Sequence, residues 1–276
     1  MNRARGGAEE HDHASDPTAY WDAVARGRDE SPAPLWRTHA DLATRALLER
    51  WLPAGRVARL LKTDLYDETC SEGLVPHLAA RADAVVGVDV SPVIAATAAA
   101  RSGVRAVAVA GDVRRLPFRS GSFDVVVSNS TLDHFADHAQ IAAALAELRR
   151  VLTADGLLVV TLDNPGHPLV RVRNGLAPLM RRAGIVPYAV GATHGRDGLR
   201  RALEDGGFAV ADVAAVHHFP RVALVAVERL LGARAGRATL GVACAAERLG
   251  SWPTRWWTGQ YVAALAYAHR PAGVGT

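Results

Sequence analysis

The chain has 276 residues, of which 49% are hydrophobic and 22% are charged, a composition typical of one globular domain with a large core rather than of a disordered chain. Its two cysteines, Cys70 and Cys244, lie far apart, which argues against a disulfide framework and against a zinc site, so no metal is predicted. The net charge of +4 is small and the arginine pairs are scattered, so a nucleic-acid partner is not expected either.

The N-terminal region divides into a polar tail and a helical segment. Residues 1–18 contain no apolar run, which predicts a disordered tail rather than a secretory signal. In residues 19–54 apolar side chains recur at helical spacing, and Pro53 and Gly55 predict the end of this helical cap. No uncharged apolar stretch reaches about 18 residues, so no membrane-spanning helix is predicted. Together these features predict a cytoplasmic protein.

Short apolar segments alternate with helical ones through residues 55–165, the predicted cofactor-binding core. Five segments are nearly continuous in apolar residues, as strands buried on both faces of a parallel sheet are: 57–61, 84–90, 106–113, 123–129 and 156–163. Their alternation with helices predicts a Rossmann-like, doubly wound α/β fold with right-handed crossovers. Residues 19–276 are predicted to form a single domain, with a lid insertion at 166–205 and further strands and a helix in 206–276.

Polar side chains follow each of the five predicted strands. In chain order they are Lys62, Thr63 and Asp64, then Asp89, then Asp112, then Ser128 and Asn129, then Asp163 and Asn164. Doubly wound folds bind ligands outside the carboxyl ends of their strands. Acidic and amide groups suit a ligand rich in hydroxyl and amino donors, whereas a phosphate favours helix N-termini and basic groups. The sequence therefore predicts a site for such a ligand at this edge of the sheet.

Three segments carry a family resemblance: VVGVDVSP, AGDVRRLPFRSGSFDVVVSNSTLDHF and ELRRVLTADGLLVVTLDN. They resemble the class I S-adenosylmethionine-dependent methyltransferases, most closely the small-molecule branch that includes quinone-ring C-methyltransferases. The resemblance implies S-adenosyl-L-methionine as cofactor and a seven-stranded, mostly parallel sheet. It also implies that 207–216 is strand six and that 259–268 inserts antiparallel beside it. A dinucleotide dehydrogenase would carry G-x-G-x-x-G after the first strand, and this sequence does not.

The same resemblance implies roles for five residues at the strand ends. Asp89 would bind the ribose hydroxyls, since one carboxylate can accept hydrogen bonds from both. Asp112 would face the adenine amino group, with Val113 beside the ring. Ser128 and Asn129 would close strand four near the methionine part and the methyl donor.

Two of these acids have structural alternatives. Asp89 is also placed to cap the following helix, although Ser91, followed by Pro92, is the better cap and favours a ligand role for Asp89. Asp112 is also placed to cap a helix or to turn toward solvent.

The first motif departs from the family pattern. Where the family carries three glycines, KTDLYDETCSEG contains only Gly73. Counting back from Asp89 without a gap makes Asp67 the strand-end acid, whereas ending the strand with its apolar run makes it Asp64, and both registers stay open. Lys62, the single lysine of the chain, is predicted either to bind the methionine carboxylate or to pair with one of these acids. We interpret the stretch as a rebuilt cofactor site.

A general base is needed only where the methyl acceptor carries a proton of high pKa. His134, just past strand four, is the candidate, and a histidine packed at the head of a helix is its alternative. Asp133 is the second candidate, with a helix N-terminal charge as its alternative.

The predicted lid, residues 166–205, is rich in proline and glycine and contains a short apolar helix around 176–180. Four residues in or just before it are candidates for substrate binding, each with a loop hydrogen bond as the alternative: Asn164, His167, Tyr188 and His194. Three aromatic residues of the N-terminal segment are predicted either as a wall of the substrate pocket or as core: Tyr20, Trp21 and Trp36.

These features predict a methyltransferase that acts on a small, apolar or aromatic metabolite. Two alternatives stay open: a fold relative that binds the cofactor but catalyses another reaction, such as a cyclisation, and a non-catalytic binding protein. Trp256 and Trp257 precede the predicted last strand and are interpreted as a homodimer contact or a pocket wall.

Overall fold

The computed structural model describes residues 16–27, 35–103, 106–182, 191–232 and 236–269. Seven strands form one sheet: β1 (Val57–Thr63), β2 (Ala82–Asp89), β3 (Val107–Ala110), β4 (Phe123–Asn129), β5 (Leu152–Asp163), β6 (Ala209–Val216) and β7 (Tyr261–Tyr267). The helices before β5 are α1 (Pro17–Arg26), α2 (Leu35–Trp51), α3 (Tyr66–Cys70), α4 (Val75–Ala79), α5 (Pro92–Ser102) and α6 (His138–Val151). Those after it are α7 (Pro168–Arg182), α8 (Arg196–Asp205), α9 (Arg221–Leu231), α10 (Arg237–Ala246) and α11 (Arg255–Thr258), and 3₁₀ turns span Leu132–His134 and Glu247–Ser251.

The sheet order is β3-β2-β1-β4-β5-β7-β6. Every neighbouring pair is parallel except those of β7, which runs antiparallel to both β5 and β6. The doubly wound α/β fold is therefore confirmed, with the antiparallel last strand that the resemblance implied. No helix within the described ranges is long and apolar enough to cross a membrane.

Two hydrophobic clusters cover the two faces of the sheet, because side chains alternate along each strand. Leu60 packs in one cluster, beneath α2, and Leu61 packs in the other, beneath α6. Helix α6 buries Ile141, Leu145 and Leu148, which recur at helical spacing along its inner face. Both faces of the sheet are thus closed, and the carboxyl edge of the parallel strands is left for a ligand.

The structure decides the register of the first motif. Strand β1 runs to Thr63, two residues beyond the predicted end, and Asp64 follows it directly. Asp67 lies inside α3, so the gap-free register, in which LYD ends the strand, is wrong. Asp64 is the strand-end acid.

Two other predicted boundaries are corrected. Helix α1 begins at Pro17, where the Asp16 side chain accepts a hydrogen bond from the Ala19 N–H at 2.9 Å. The short helix expected around 176–180 is the end of a longer one, α7, which begins at Pro168.

Candidate functional site

Two adjoining cavities open at the carboxyl edge of the sheet. The smaller, of about 80 Å³, lies over the ends of β2 and β3, and the larger, of about 340 Å³, lies over the ends of β1, β4, β5, β7 and β6. Four residues line both cavities: Trp21, Asp64, Tyr66 and His134. The cavities therefore meet above the end of β1, and two ligands bound in them would come into contact there.

Asp89, at the end of β2, lines the smaller cavity. The residue is 8% exposed, and its two oxygens accept hydrogen bonds from the backbone N–H groups of Leu65 and Ser91, both at 2.9 Å. Burial raises the pKa of Asp89, and the two N–H donors oppose the rise. The Ser91 side chain caps α5 by accepting from the Ile94 N–H at 3.1 Å, so Asp89 is not that helix's cap and keeps free lone pairs for a ligand.

Asp112 and Val113 lie on the opposite wall of the smaller cavity. Both oxygens of Asp112 accept hydrogen bonds from Arg114, at 2.6 to 3.0 Å. Arg114 also donates to the Gln140 side chain at 2.7 Å and lies 5.0 Å from the centre of the Phe135 ring. Val113 and Phe135 thus give this cavity an apolar wall beside a fixed carboxylate.

Asp64, where the cavities meet, has a left-handed backbone conformation with φ of 66°. Its carboxylate accepts a hydrogen bond from the Tyr66 N–H at 2.8 Å, an Asx turn that suits this conformation. Burial raises the pKa of Asp64 well above its ordinary value, and the neighbouring Asp89 carboxylate raises it further. The strand-end acid therefore also forms the turn that leads from β1 into α3.

Lys62 pairs with Glu68 beneath this turn, with Nζ 2.9 Å from Oε2. Lys62 is 2% exposed and lines neither cavity, and it also donates to the backbone carbonyl of Asp64. The other oxygen of Glu68 accepts from the Leu74 N–H at 3.0 Å. Gly73 has φ of 57°, and a Cβ there would lie 2.5 Å from that carboxylate. A buried ion pair and one glycine thus take the place of the glycine-rich loop.

The two residues that close β4 differ in position. Ser128 is fully buried, accepts a hydrogen bond from Thr63 at 2.9 Å and lines neither cavity. Asn129 lines the larger cavity, and its side-chain oxygen accepts from Thr161 at 2.9 Å. Ser130 follows with φ of 51°, so the chain turns sharply where β4 meets the cavity.

The two candidate bases also differ in whether they line a cavity. His134 lines both cavities, and its ring lies edge-to-face against Trp21 at 4.9 Å. Asp133 lines neither, is 3% exposed and accepts hydrogen bonds from Ser130 Oγ at 3.0 Å and from the Asp163 N–H at 2.9 Å. Asp133 therefore ties together the ends of β4 and β5.

Asp163, at the end of β5, presents its carboxylate to the larger cavity and forms an ion pair with Arg173 of α7. Burial raises the pKa of Asp163 to about 6, the Asp133 carboxylate adds to the rise, and Arg173 opposes it. A carboxyl group that titrates near neutral pH thus lies one strand from His134.

Charged and aromatic groups from α2, α3 and α9 form one wall of the larger cavity. Arg37 is buried and forms an ion pair with Asp67, while its Nε has no hydrogen-bond partner among the described residues. The guanidinium groups of Arg37 and Arg221 lie 4.6 Å and 3.6 Å from the centre of the Trp36 ring. Burial raises the pKa of Asp41, on the same wall, to about 6.

Two histidines lie at the far end of the larger cavity, beside β6. The Nε2 atom of His39, from α2, lies 3.1 Å from Oε1 of Glu247. His217 directly follows β6 with φ of 59°, and its Nε2 lies 3.0 Å from the Thr44 hydroxyl. The His217 ring packs edge-to-face on Tyr261 at 4.9 Å and lies 6.2 Å from the His39 ring.

The predicted substrate-binding residues in and near the lid lie elsewhere. The Asn164 side chain donates to the carbonyls of Trp256 and Gly259 at 2.9 and 2.8 Å. The Nδ1 atom of His167 accepts from the Val170 N–H, and His194 stacks on His138 with ring centres 4.2 Å apart. None of the three lines either cavity. Tyr188 lies outside the described residues, as does the rest of 183–190.

The aromatic wall expected from the N-terminal segment is present only in part. Trp21 and Trp36 line the larger cavity, whereas Tyr20 is buried away from it. The sequence could have indicated His217 as a cavity residue, since it directly follows predicted strand six. It could not have indicated His39, because a single histidine within a helical pattern is more often a surface or core residue.

Comparisons with known proteins agree with this architecture. The family described as "Methyltransferase domain" matches residues 68–160. A demethylmenaquinone methyltransferase of Roseiflexus sp. (strain RS-1) is 42% identical over 86 residues, which are 29% of this chain and 34% of that protein. The match thus spans about a third of the length of that relative.

Solved structures show the same fold at low sequence identity. The geranyl diphosphate C-methyltransferase of Streptomyces coelicolor A3(2) superimposes with a TM-score of 0.59 and 16% identity, covering 95% of this chain and 100% of that one. The [4+2]-cyclase SpnF does so with a TM-score of 0.54 and 20% identity, covering 93% of each chain. The predicted class I S-adenosylmethionine-dependent methyltransferase fold is confirmed, and because one of these neighbours is a cyclase, the fold alone does not choose the reaction.

Proposed function

We propose that this chain, which has the class I methyltransferase fold, binds S-adenosyl-L-methionine in the smaller cavity and transfers its methyl group to a small molecule in the larger one. The observation that carries the proposal is the meeting of the two cavities at Asp64, with the buried Asp89 lining the smaller cavity.

The residues of the smaller cavity fit an adenosine group. Asp89 has lone pairs for a ribose diol, and the backbone donors that hold it fix its direction. Val113, Phe135 and Ile94 supply apolar contacts for a flat ring, and Asp112 supplies an acceptor for an amino group.

The structure of the first motif points to a partner other than Lys62 for the methionine carboxylate. Since Glu68 holds Lys62 beneath the turn, we assign Lys62, Glu68 and Gly73 to the shape of the loop. Arg37 lines the larger cavity, pairs with Asp67 and keeps a buried Nε without a partner among the described residues. We assign it as the positive charge for a carboxylate. Asp64 and Asn129 line the same space and offer acceptors for an ammonium group.

The cofactor, when bound, supplies an electrophilic sulfonium methyl group. The protein then has to position the acceptor and exclude water. His134 lines both cavities at their junction, so it is the residue placed to accept a proton from an acceptor hydroxyl or amine, and Asp163 is the nearby carboxylate that would share this role. Asp133 acts as a positioning residue for the Ser130 turn.

The lining of the larger cavity supports an apolar or aromatic acceptor. Its apolar surface comes largely from Trp21, Trp36, Phe219, Leu224 and Tyr261, which suits flat or apolar molecules. The demethylmenaquinone methyltransferase relative is named for a quinone substrate, which points the same way.

The test is calorimetric titration with S-adenosylmethionine and S-adenosylhomocysteine. We expect micromolar binding of both, and a loss of about 100-fold or more for Asp89→Ala, because two hydrogen bonds to a charged group are removed. Asp83→Asn, at the exposed start of the same strand, is the matched control and should bind as the parent does.

Absence of binding to the folded parent protein would reject the cofactor site and favour a non-catalytic binding protein. Binding without methyl transfer to any aromatic acceptor would favour a different reaction on the same cofactor.

A further inference from the structure

We infer that the acceptor is an elongated molecule with a neutral hydroxyl at the end remote from the methylated atom, and that His39 and His217 bind this hydroxyl. The inference rests on the proposed function, since it takes the junction of the cavities as the place of methyl transfer.

The length follows from the strand order. The larger cavity is lined by Asp64 after β1 and by His217 after β6, and β4, β5 and β7 lie between them. The strand ends are staggered, because Thr63 is aligned with Ser128 and Val160, whereas Val216 is aligned through Tyr261 with Asp163, three residues further along β5. This stagger adds to the separation across the sheet. Four strand spacings of roughly 4.8 Å separate the two ends by about 19 Å. A group bound at His217 is therefore too far from the junction to be the methylated atom.

His39 presents a hydrogen-bond acceptor at the far end. It is 3% exposed, and its Nε2 lies 3.1 Å from the Glu247 carboxylate, a contact that is not aligned as a hydrogen bond. A nitrogen lone pair this close to a carboxylate would be repelled, so in the neutral form of the ring the proton sits on Nε2 and the lone pair on Nδ1. Among the described residues nothing hydrogen-bonds Nδ1 of His39, which leaves it for a ligand donor.

Glu247 is fixed for this purpose by the backbone. Its two oxygens accept from the N–H groups of His218 at 2.8 Å and His217 at 3.1 Å. Its pKa stays below the ordinary value, although burial alone would raise it. The carboxylate that orients His39 is thus itself held by the turn that carries His217.

His217 presents the complementary donor. Its φ of 59° is unusual for a residue other than glycine, and the turn directs the ring to the Thr44 hydroxyl, 3.0 Å from Nε2. Burial lowers the pKa of His217 to about 4, so the ring is neutral at physiological pH. The Thr44 hydroxyl has no other acceptor among the described residues, so we assign it as the donor to Nε2. Nδ1 of His217 then carries the proton, and no described residue accepts it.

One acceptor and one donor, on rings 6.2 Å apart, match a hydroxyl, which both donates and accepts. A carboxylate would offer no donor to His39 and would lie near the Glu247 charge. An ammonium group would offer no acceptor to His217. An alcohol or a phenol is therefore the favoured end group.

The experiment uses matched probes with the protein saturated with S-adenosylhomocysteine. The long probe is 8-phenyloctan-1-ol, its methyl ether lacks only the donor, and 2-phenylethanol is too short to span the cavity. Calorimetry should show the long alcohol binding about tenfold more tightly than its ether, the value of one good hydrogen bond. The short alcohol should bind weakly.

Two variants at the far end test the assignment. His39→Leu should abolish the preference for alcohol over ether, because it removes the acceptor for the hydroxyl proton. His217→Asn should weaken the binding of alcohol and ether alike, because both keep the oxygen that accepts from His217. In both variants the affinity for S-adenosylhomocysteine should stay within about twofold. His167→Asn, at a buried histidine that lines neither cavity, is the control and should keep the preference.

The inference is overturned if the long alcohol does not bind, if alcohol and ether bind equally, if the preference survives His39→Leu, or if His217→Asn leaves the affinity for both probes unchanged. Its failure is distinguishable from that of the proposed function, because loss of S-adenosylhomocysteine binding by the parent protein rejects the latter before any probe is added.

Discussion

The two cavities differ in how many of their polar side chains already have hydrogen-bond partners within the protein. In the smaller one, Asp89 is held by two backbone N–H groups and Asp112 by Arg114. In the larger one, burial raises the pKa of Asp163 to about 6, and two histidine rings keep a nitrogen without a partner among the described residues. The smaller cavity is therefore preorganised for a ligand, whereas the larger retains groups that a bound molecule would still have to satisfy.

Backbone conformation divides the cavities in the same way. Within the described ranges, three residues other than glycine have positive φ: Asp64, Ser130 and His217. Each directly follows a strand and each lines the larger cavity, and only Asp64 also reaches the smaller one. The strained backbone conformations therefore lie along the larger cavity, and such conformations are common at functional sites, where the surrounding fold enforces them.

The largest effect we expect is at the turn where the cavities meet. Lys62→Met leaves the Glu68 carboxylate buried without its partner, which should lower the free energy of unfolding by about 3–5 kcal/mol. The midpoint temperature of thermal unfolding should fall by roughly 10 °C. The double variant with Glu68→Leu should recover most of this loss, because no charge remains buried.

Arg200→Ala is the control for this prediction, since it breaks the exposed pair with Glu204, and it should change the unfolding temperature little. If Lys62→Met has the same unfolding temperature as the control, the buried pair does not stabilise the turn at which the two cavities meet.

An acid-dependent loss of stability should come from the larger cavity, through His217. Its pKa is about 4 in the folded protein and about 6.5 when unfolded. Between these values the unfolded chain takes up a proton that the folded one does not, so the free energy of unfolding falls as the pH falls. From pH 7 to 4.5 this contribution reaches about 2–3 kcal/mol.

The variant His217→Asn isolates that term, and asparagine tolerates the positive φ. Asp41 and Asp163, whose pKa values are raised to about 6, stabilise the fold on acidification and are present in both proteins. Urea unfolding at the two pH values should therefore show that the free energy of unfolding of the variant rises relative to that of the parent as the pH falls. Parallel pH profiles would show that His217 is not buried as a neutral ring.

The sequence predicted the smaller cavity better than the larger one for a physical reason. Strand β2 and Asp89 are read from adjacent residues, since a continuous apolar run ending in an acid is a local pattern. The far end of the larger cavity joins His39 to Glu247 across most of the chain, and no spacing in either segment indicates that contact. Asp163 was recognised only as a strand end, because its pairing with Arg173 depends on where α7 returns.

The rebuilt turn shows the same limit within a short stretch. The sequence indicated that the glycine motif was replaced, but Glu68 was not singled out from its acidic neighbours as the partner of Lys62. That choice depends on which side of α3 faces the sheet, and this follows from the end of β1, which the apolar run placed two residues too early.

The smallest effect should come from the strained turn after β4. At Ser130, with φ of 51°, replacement by glycine should be about 1 kcal/mol more stable than replacement by alanine, since both lose the hydroxyl and only alanine keeps the left-handed strain. At Ser128, inside the strand, the order should reverse. Thermal melts of the four variants measure both differences. If the alanine variant is the more stable at both sites, the left-handed conformation of Ser130 is not strained.

The burial of Lys62 has a practical consequence for measurement. It is the single lysine of the chain and is 2% exposed, so the protein holds its one side-chain amine out of reach of acylating reagents while the turn is closed. Modification at this position can proceed only through local opening. The rate at which an amine-reactive ester labels Lys62, followed by mass spectrometry of the arginine-cleaved peptides, therefore reports how often the turn between β1 and α3 opens, with no residue introduced for the purpose.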